Sequence, residues 1–233
     1  MTTRDILSAA IAAKRENLGG AECRSIFAEA GLPMNASSFA KSRDEATAAA
    51  DRIGYPVVMK IVSAQVVHKT EAGGVKLNIR SRDEVGAAYD EMMQKVRAHH
   101  PDARIDGVTI DEQLAGVELI VGSTRDPQFG PLVMFGLGGI FVEVYKDVTF
   151  RLVPITKGDA LQMIEEVKGK PVYQGARGLP KADPQELAAI LMGVSKLVQD
   201  NPAIRELDLN PLVVTPQGVR AIDARILVDL SAR

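Results

Sequence analysis

"YPVVMKIVSAQVVHKTEAGGVKLNI", residues 55–79, decides how this chain folds. Its opening run, "YPVVMKIV", is short, β-branched and bounded by Gly54-Tyr55-Pro56 before and polar residues after, the pattern of a buried strand. "GGVKLNI" reads as a second strand, whose alternation puts Val75, Leu77 and Ile79 on one face and Lys76 and Asn78 on the other. Residues 63–73 are left as a loop longer than a hairpin needs. That loop carries His68, one of only three histidines, beside Lys69 and shortly before the pair Gly73-Gly74. Long loops on rigid supports are where binding and catalytic groups gather.

Outward from this stretch, helical periodicity covers residues 4–15 and 21–30, the second ended by Gly31 and Pro33. "SRDEATAAADRIG" is a helix with Ser42 as its cap and Gly54 as its stop. Another helix, "SRDEVGAAYDEMMQKVRAHH", leads to a strand around "IDGVTIDEQL". The second half is richer in strands: "VELIVGST", "GPLVMFGL", "VTFRLVPI", "IRELDLNPLVVT" and "GVRAIDARILV", with helices near 157–168 and 184–200. The expectation is an α+β chain of two lobes, 1–110 (with a helical lead-in, 1–30) and 111–233. A hinge near 108–118 and a cleft between the lobes complete it, a usual place for a small-molecule site.

Composition removes several function classes. With 28 Lys+Arg against 30 Asp+Glu, no tryptophan and 4% aromatic residues, the chain has neither the basic excess nor the stacking surface of a nucleic-acid binder. No run approaches the ~18 apolar residues of a membrane span and the start lacks a signal-peptide pattern, so a cytoplasmic location is expected. The single cysteine, Cys23, lies at helical spacing with Ile26 and Phe27 and reads as a packed apolar residue.

No G-x-x-x-x-G-K-[ST] loop is present. "GLGGIF", residues 136–141, is followed by the β-like "FVEVY" rather than a helix, which argues against a dinucleotide fingerprint and leaves a glycine turn or a ligand-lining loop. Lys60 falls where alternation turns a charge inward. It either pairs with an anion such as a nucleotide phosphate or snorkels into water. Glu112 and Glu118 flank the expected hinge and are either ribose acceptors or solvated strand ends. Asn210 and Asp223 lie thirteen residues apart on two β-like runs joined by "TPQG". Antiparallel pairing would bring their oxygens toward one end, a set suited to Mg²⁺, which takes few protein ligands. A local turn at Asn210-Pro211 and a local cap by Asp223 are the alternative.

Three blocks, "GYPVVMKIVSAQVVHKTEAGGVKLNI", "GVELIVGSTRDPQFGPLVMFGLGGIFVEVYKDVTFRLVPI" and "ELDLNPLVVTPQGVRAIDARI", together resemble the ATP-grasp β subunit of ADP-forming acyl-CoA (acetyl-CoA-type) synthetases, relatives of succinyl-CoA synthetase. The resemblance runs from about residue 20 to the end. It implies a two-lobed ATP-grasp fold with ATP or ADP in the cleft between the lobes, and a partner α subunit, in an α₂β₂ assembly, that binds CoA and carries its own phosphorylated histidine. It further implies that Lys60 meets nucleotide phosphate, that Asp111, Glu112, Gln113 and Leu114 line the adenine, that Glu118 meets the ribose and that Asn210 and Asp223 hold Mg²⁺. His68 falls on the family's transiently phosphorylated β-subunit histidine. An imidazole with an ordinary pKa of ~6.5 is largely unprotonated at pH 7 and can attack phosphorus. Lys69 would offset charge on the transferring group, Gly73 and Gly74 would permit a tight backbone path, and Arg151 would meet the terminal phosphate unless a surface ion pair explains it. Nothing in the chain resembles the CoA-binding half. A regulatory ATP-grasp module without turnover, and a carboxylate–amine ligase, are the alternative functions.

Overall fold

The computed structural model describes residues 1–66, 68–139 and 146–231. In chain order the elements are α1 (Thr3–Ala12), α2 (Gly20–Glu29), β1 (Ser37–Ala40), α3 (Arg43–Ile53), β2 (Val57–Val62), β3 (Val75–Ile79), α4 (Arg82–His99), β4 (Gly107–Glu112), β5 (Val117–Asp126), β6 (Gly130–Leu137), β7 (Val148–Leu152), α5 (Lys157–Glu166), α6 (Pro184–Asp200), β8 (Ile204–Thr215), β9 (Gly218–Ala221) and β10 (Ala224–Val228). They form two compact units, Asn35–Leu114 and Met1–Met34 with Ala115–Arg233.

The smaller unit is an antiparallel sheet of order β1-β4-β2-β3. Helix α3 starts where the Ser42 side chain accepts a hydrogen bond from Glu45 N and stops at Gly54, whose φ of 93° suits glycine. Its buried Ala46, Ala49 and Ala50 join Met92 and Val96 of α4 in covering one sheet face, with Val57, Met59, Ile61, Val108 and Ile110 beneath. Alternation then sends Ser37, Phe39, Val58, Lys60, Thr109 and Asp111 to the opposite face. In β3 the expected alternation fails at Leu77, which is 57% exposed while Ile79 is buried. The β2–β3 register shifts between Val57 and Met59, and Asn78 has a φ of 58°, so a bulge changes the phase of the strand.

The larger unit is an antiparallel sheet of order β10-β8-β5-β6-β7, with β9 paired to β8. On one face Leu119, Val121, Val133, Phe135, Leu207, Leu209 and Ile226 pack under the helices. Helix α6 contributes the buried stripe Leu187, Ile190, Leu191, Val194, Leu197 and Val198, at the period of a helix lying on a sheet. Tyr173 meets Phe135 edge to face at 5.9 Å and donates its hydroxyl hydrogen to Ile164 O.

Helices α1 and α2 belong to this larger unit, not to the first lobe as expected for 1–30. Ile6, Leu7, Ala10, Cys23, Ile26 and Phe27 are buried in its core. The stretch between the two helices runs along the outer edge of β10, with Leu18 N donating to Ile226 O at 3.2 Å and Val228 N to Glu16 O at 2.7 Å. That contact closes an otherwise open sheet edge. Among the described residues no helix is long and apolar enough to cross a membrane.

Candidate functional site

The face of the larger sheet turned away from its helices is lined by Ile120, Gly122, Thr124, Leu132, Met134, Phe150, Glu206, Asp208, Arg225 and Leu227 around a hollow of about 390 Å³. On β8 the polar side chains follow the strand period. "ELDLN" sends Glu206, Asp208 and Asn210 to this face while Leu207 and Leu209 enter the core. Across the ladder Asp208 pairs with Arg225 and Leu209 with Ala224, and Ile222 N donates to Pro211 O at 3.0 Å. That same register sets Asn210 opposite Asp223, both exposed. Asp223 Oδ1 accepts from Ala224 N at 2.8 Å, which fixes the carboxylate at the strand start.

Asp208 is a residue the sequence reading missed. Its Oδ1 is buried with no hydrogen-bond partner. Burial first, and the nearby charge of Asp223 second, push its carboxyl above the usual range, with Arg225 pulling the other way. A buried, unsatisfied carboxylate oxygen is costly in isolation. With Asn210 and Asp223 it offers hard oxygen donors on neighbouring strand positions that could hold Mg²⁺. Among the described residues no group of three or more His, Cys, Asp or Glu side chains forms a denser metal centre, as Zn²⁺ would need.

Glu118, exposed at the start of β5, accepts a backbone bond from Gly138 N at 2.8 Å. Gly138 and Gly139 turn against it. A Cβ on Gly138 would lie 3.0 Å from Glu118 C, and Gly139 has a φ of 61°. The remainder of "GLGGIF" and the "FVEVY" run up to residue 145 lie outside the described residues.

Arg151 is placed elsewhere. It points to the helix-covered side of β7 and pairs with Glu166 at 2.6 Å, which raises its pKa. The ion-pair alternative accounts for it. Its apolar neighbours Phe150 and Leu152, 48% and 51% exposed, occupy the open face instead.

In the smaller unit His68 is exposed at the head of a tight turn; Val67 before it lies outside the described residues. His68 O accepts from Ala72 N at 3.1 Å, Gly73 N donates to Thr70 O at 3.1 Å, and Gly74 N donates to Lys69 O at 2.7 Å. Ile61 N then donates to Gly74 O at 2.8 Å, tying the turn to β2. The buried Val66 and Ala72 anchor its two ends. Gly73 has a φ of 72°, and a Cβ on Gly74 would fall 2.5 Å from Ile61 Cγ2, so the two glycines serve the path of the backbone. Lys69 is half-buried in the same turn.

Lys60 has found an anion within its own unit, Asp111, at 3.2 Å. The segment after Asp111 is held by its neighbours. Glu112 O accepts from Asn35 Nδ2 and Glu112 Oε2 from Ala36 N. Gln113 Oε1 accepts from the Asn78 backbone N–H at 2.7 Å, its Nε2 donates to Asn78 Oδ1 at 2.8 Å, and its own backbone N–H donates to Pro56 O. Leu114 is half-buried where the unit ends.

A family model for the ATP-grasp domain matches residues 9–228. The chain belongs to the ATP-grasp family. Within it, the chain is 48% identical over 219 residues to the β subunit of acetate–CoA ligase [ADP-forming] I of Pyrococcus furiosus, covering 93% of this chain and 94% of that one. It is 45% identical to acetate–CoA ligase [ADP-forming] I of Archaeoglobus fulgidus, matching 90% of this chain but 30% of that longer one. Among solved structures, an acetyl-coenzyme A synthetase from Ca. Korarchaeum cryptofilum, in complex with coenzyme A and Ca-AMPCP, superposes with a TM-score of 0.90 at 43% identity, over 97% of this chain and 100% of that one. A second structure of that protein, with coenzyme A and Mg-AMPPCP, has its phosphohistidine segment pointing towards the nucleotide-binding site; it superposes with a TM-score of 0.85 at 40% identity over the same shares. The ATP-grasp expectation is therefore met in fold and in family.

Proposed function

We propose that this chain is the nucleotide-binding β subunit of an ADP-forming acid–CoA ligase, catalysing carboxylate + CoA + ATP ⇌ acyl-CoA + ADP + phosphate with a CoA-binding partner. The observation that carries the reading is near-full-length identity of 48% to an ADP-forming acetate–CoA ligase β subunit. His68 exposed on a tethered turn supports its phosphohistidine step. The partner is inferred from the relative named as a subunit and from the longer relative, of which this chain matches 30%. An α₂β₂ assembly and a cytoplasmic setting complete the proposal.

In this mechanism Asp208, Asn210 and Asp223 would hold the metal, and Mg²⁺ bound there would neutralise phosphate oxygens. Lys60 receives a nucleotide phosphate oxygen, Glu112, Gln113 and Leu114 line the base, and Glu118 accepts from the ribose. A ring nitrogen of His68 attacks the γ-phosphorus while the bond to the β–γ bridging oxygen breaks, and ADP leaves with that electron pair. Lys69 offsets the negative charge on the transferring group. The phosphoryl group then passes to the partner's histidine, with the His68 imidazole as leaving group, and from there to the carboxylate; the CoA thiol displaces phosphate from the acyl phosphate to give the thioester. Arg151, paired with Glu166, is assigned no role in these steps.

The test mixes the purified chain with a CoA-binding partner, Mg²⁺, ATP, CoA and a panel of carboxylic acids. ADP and thioester are expected to form together, and only when both proteins are present. Nucleotide binding without turnover in that mixture would favour a regulatory module. Amide formation with an amine acceptor, unaffected by His68→Asn, would favour a carboxylate–amine ligase.

A further inference from the structure

We infer that Asp111 is a positioning residue that holds the Lys60 ammonium over the open face of the small sheet, ready for a nucleotide phosphate oxygen. The inference deepens the nucleotide-binding reading above and rests on it.

Lys60 lies opposite Thr109 and Val58 opposite Asp111 in the β2–β4 ladder, so Lys60 and Asp111 are diagonal neighbours on one face. Their charged groups meet at 3.2 Å, with the lysine side chain 26% exposed and the carboxylate only 5%. The ammonium is therefore the outward partner. Behind it the carboxylate is engaged on both oxygens: Oδ1 accepts from the Ser37 hydroxyl, and Oδ2 accepts from the Thr109 hydroxyl at 3.4 Å and faces the Lys60 ammonium as an ion pair at 3.2 Å. A carboxylate this deeply buried is uncommon unless it is paired, and here donors from three strands converge on it.

The chemistry follows from the donor count. Lysine carries three N–H donors and no acceptor, so an ammonium held by charge against Asp111 at 3.2 Å has donors to turn toward an external anion. The long stem of a lysine loses rotamer freedom when its head is fixed, and the ion pair imposes that order before any ligand arrives. The two hydroxyl donors offset the carboxylate's charge, and the ammonium stands between it and an approaching phosphate. Orientation of the cation then outweighs repulsion of the anion.

The test is calorimetric titration of the full chain with the magnesium complex of a non-hydrolysable ATP analogue, with thermal melts to confirm folding. Asp111→Asn is expected to raise Kd about two- to twelvefold, the cost of immobilising one such side chain at binding. Lys60→Met is expected to raise it further, and adding Asp111→Asn in that background is expected to change nothing more. Asp111→Glu, which restores the charge, regains part of the loss. If Asp111→Asn does not fold, Ser37→Ala, which only loosens the carboxylate, is expected to shift Kd in the same direction. An unchanged or lower Kd in the folded Asp111 or Ser37 variants overturns the inference, as does an equal loss with and without Lys60. Wild-type affinity in Lys60→Met would instead sink the phosphate-contact reading itself.

Discussion

Gly74→Ala separates the role of the histidine turn from that of the nucleotide site. The added Cβ would sit 2.5 Å from Ile61 Cγ2 and 3.1 Å from Lys69 O. Carbon atoms in contact are ordinarily ~3.5–4.0 Å apart, so roughly 1 Å of space must open. Ile61 is fully buried between the sheet and its helices, and overpacking such a core costs about 1–3 kcal/mol. For a chain of this size that lowers Tm by about 2–12 °C. The softer partner is the turn, which would shift with His68 on it, and a misplacement near 1 Å can cost on the order of 100-fold in rate. Single-turnover transfer from labelled ATP should therefore fall about 100-fold, while calorimetric affinity for the magnesium nucleotide stays within about twofold. Ile61→Leu, which removes the offending Cγ2, should recover part of the rate. Wild-type transfer and Tm in Gly74→Ala would refute the idea that this close approach sets the position of His68.

Three further expectations can be checked. Asp223→Ala should weaken binding of the magnesium nucleotide by about tenfold or more in calorimetry, with Tm nearly unchanged because the residue is exposed. Asp208, with its folded pKa raised, binds its proton more tightly in the native state, so its contribution to stability is lost as pH rises from the ordinary carboxylate range (~3.9) through the raised value. Asp208→Asn should therefore stabilise the metal-free chain at neutral pH in urea melts, while weakening its hold on Mg²⁺. Glu91 behaves oppositely: hydrogen bonds from Lys76 and Lys95 pull its pKa down to about 2, so the stability it contributes is present above the ordinary glutamate range and lost as pH falls toward that value. Glu91→Gln should flatten the acid limb of a stability–pH curve.

Local chemistry made much of the fold legible. Ser42 and Gly54 bound α3 because a hydroxyl cap and a left-handed stop act within a few residues, and the stripe in residues 184–200 has a single helical solution. What escaped depends on partners distant in sequence. The apolar stripes of residues 3–29 announce buried helices but not the sheet they bury against, which lies with Ala115–Arg233. Leu77 departs from the face of Ile79 because a bulge, invisible in the alternation of the sequence, changes the phase of the strand.

At the site, the Asn210–Asp223 pairing follows from strand spacing, whereas the anion beside Lys60 was a carboxylate fifty-one residues away. Arg151 misled for a plainer reason. In "TFRLVP" the apolar Phe150 and Leu152 look like the buried side, yet they line the open face and the arginine faces the helices. Asp208 could have been found, since "ELDLN" sets an acid two residues before Asn210 on the same face.

The measurement that tests the proposed chemistry most directly is transfer of label from γ-labelled ATP and Mg²⁺ to the chain, alone and with its CoA-binding partner, for wild type and His68→Asn. Label on the wild-type chain that survives base, is lost in acid and is absent from His68→Asn is the expected result. Equal labelling of the two proteins, or a wild-type chain that turns over with its partner without ever carrying label, would contradict a phosphohistidine at position 68.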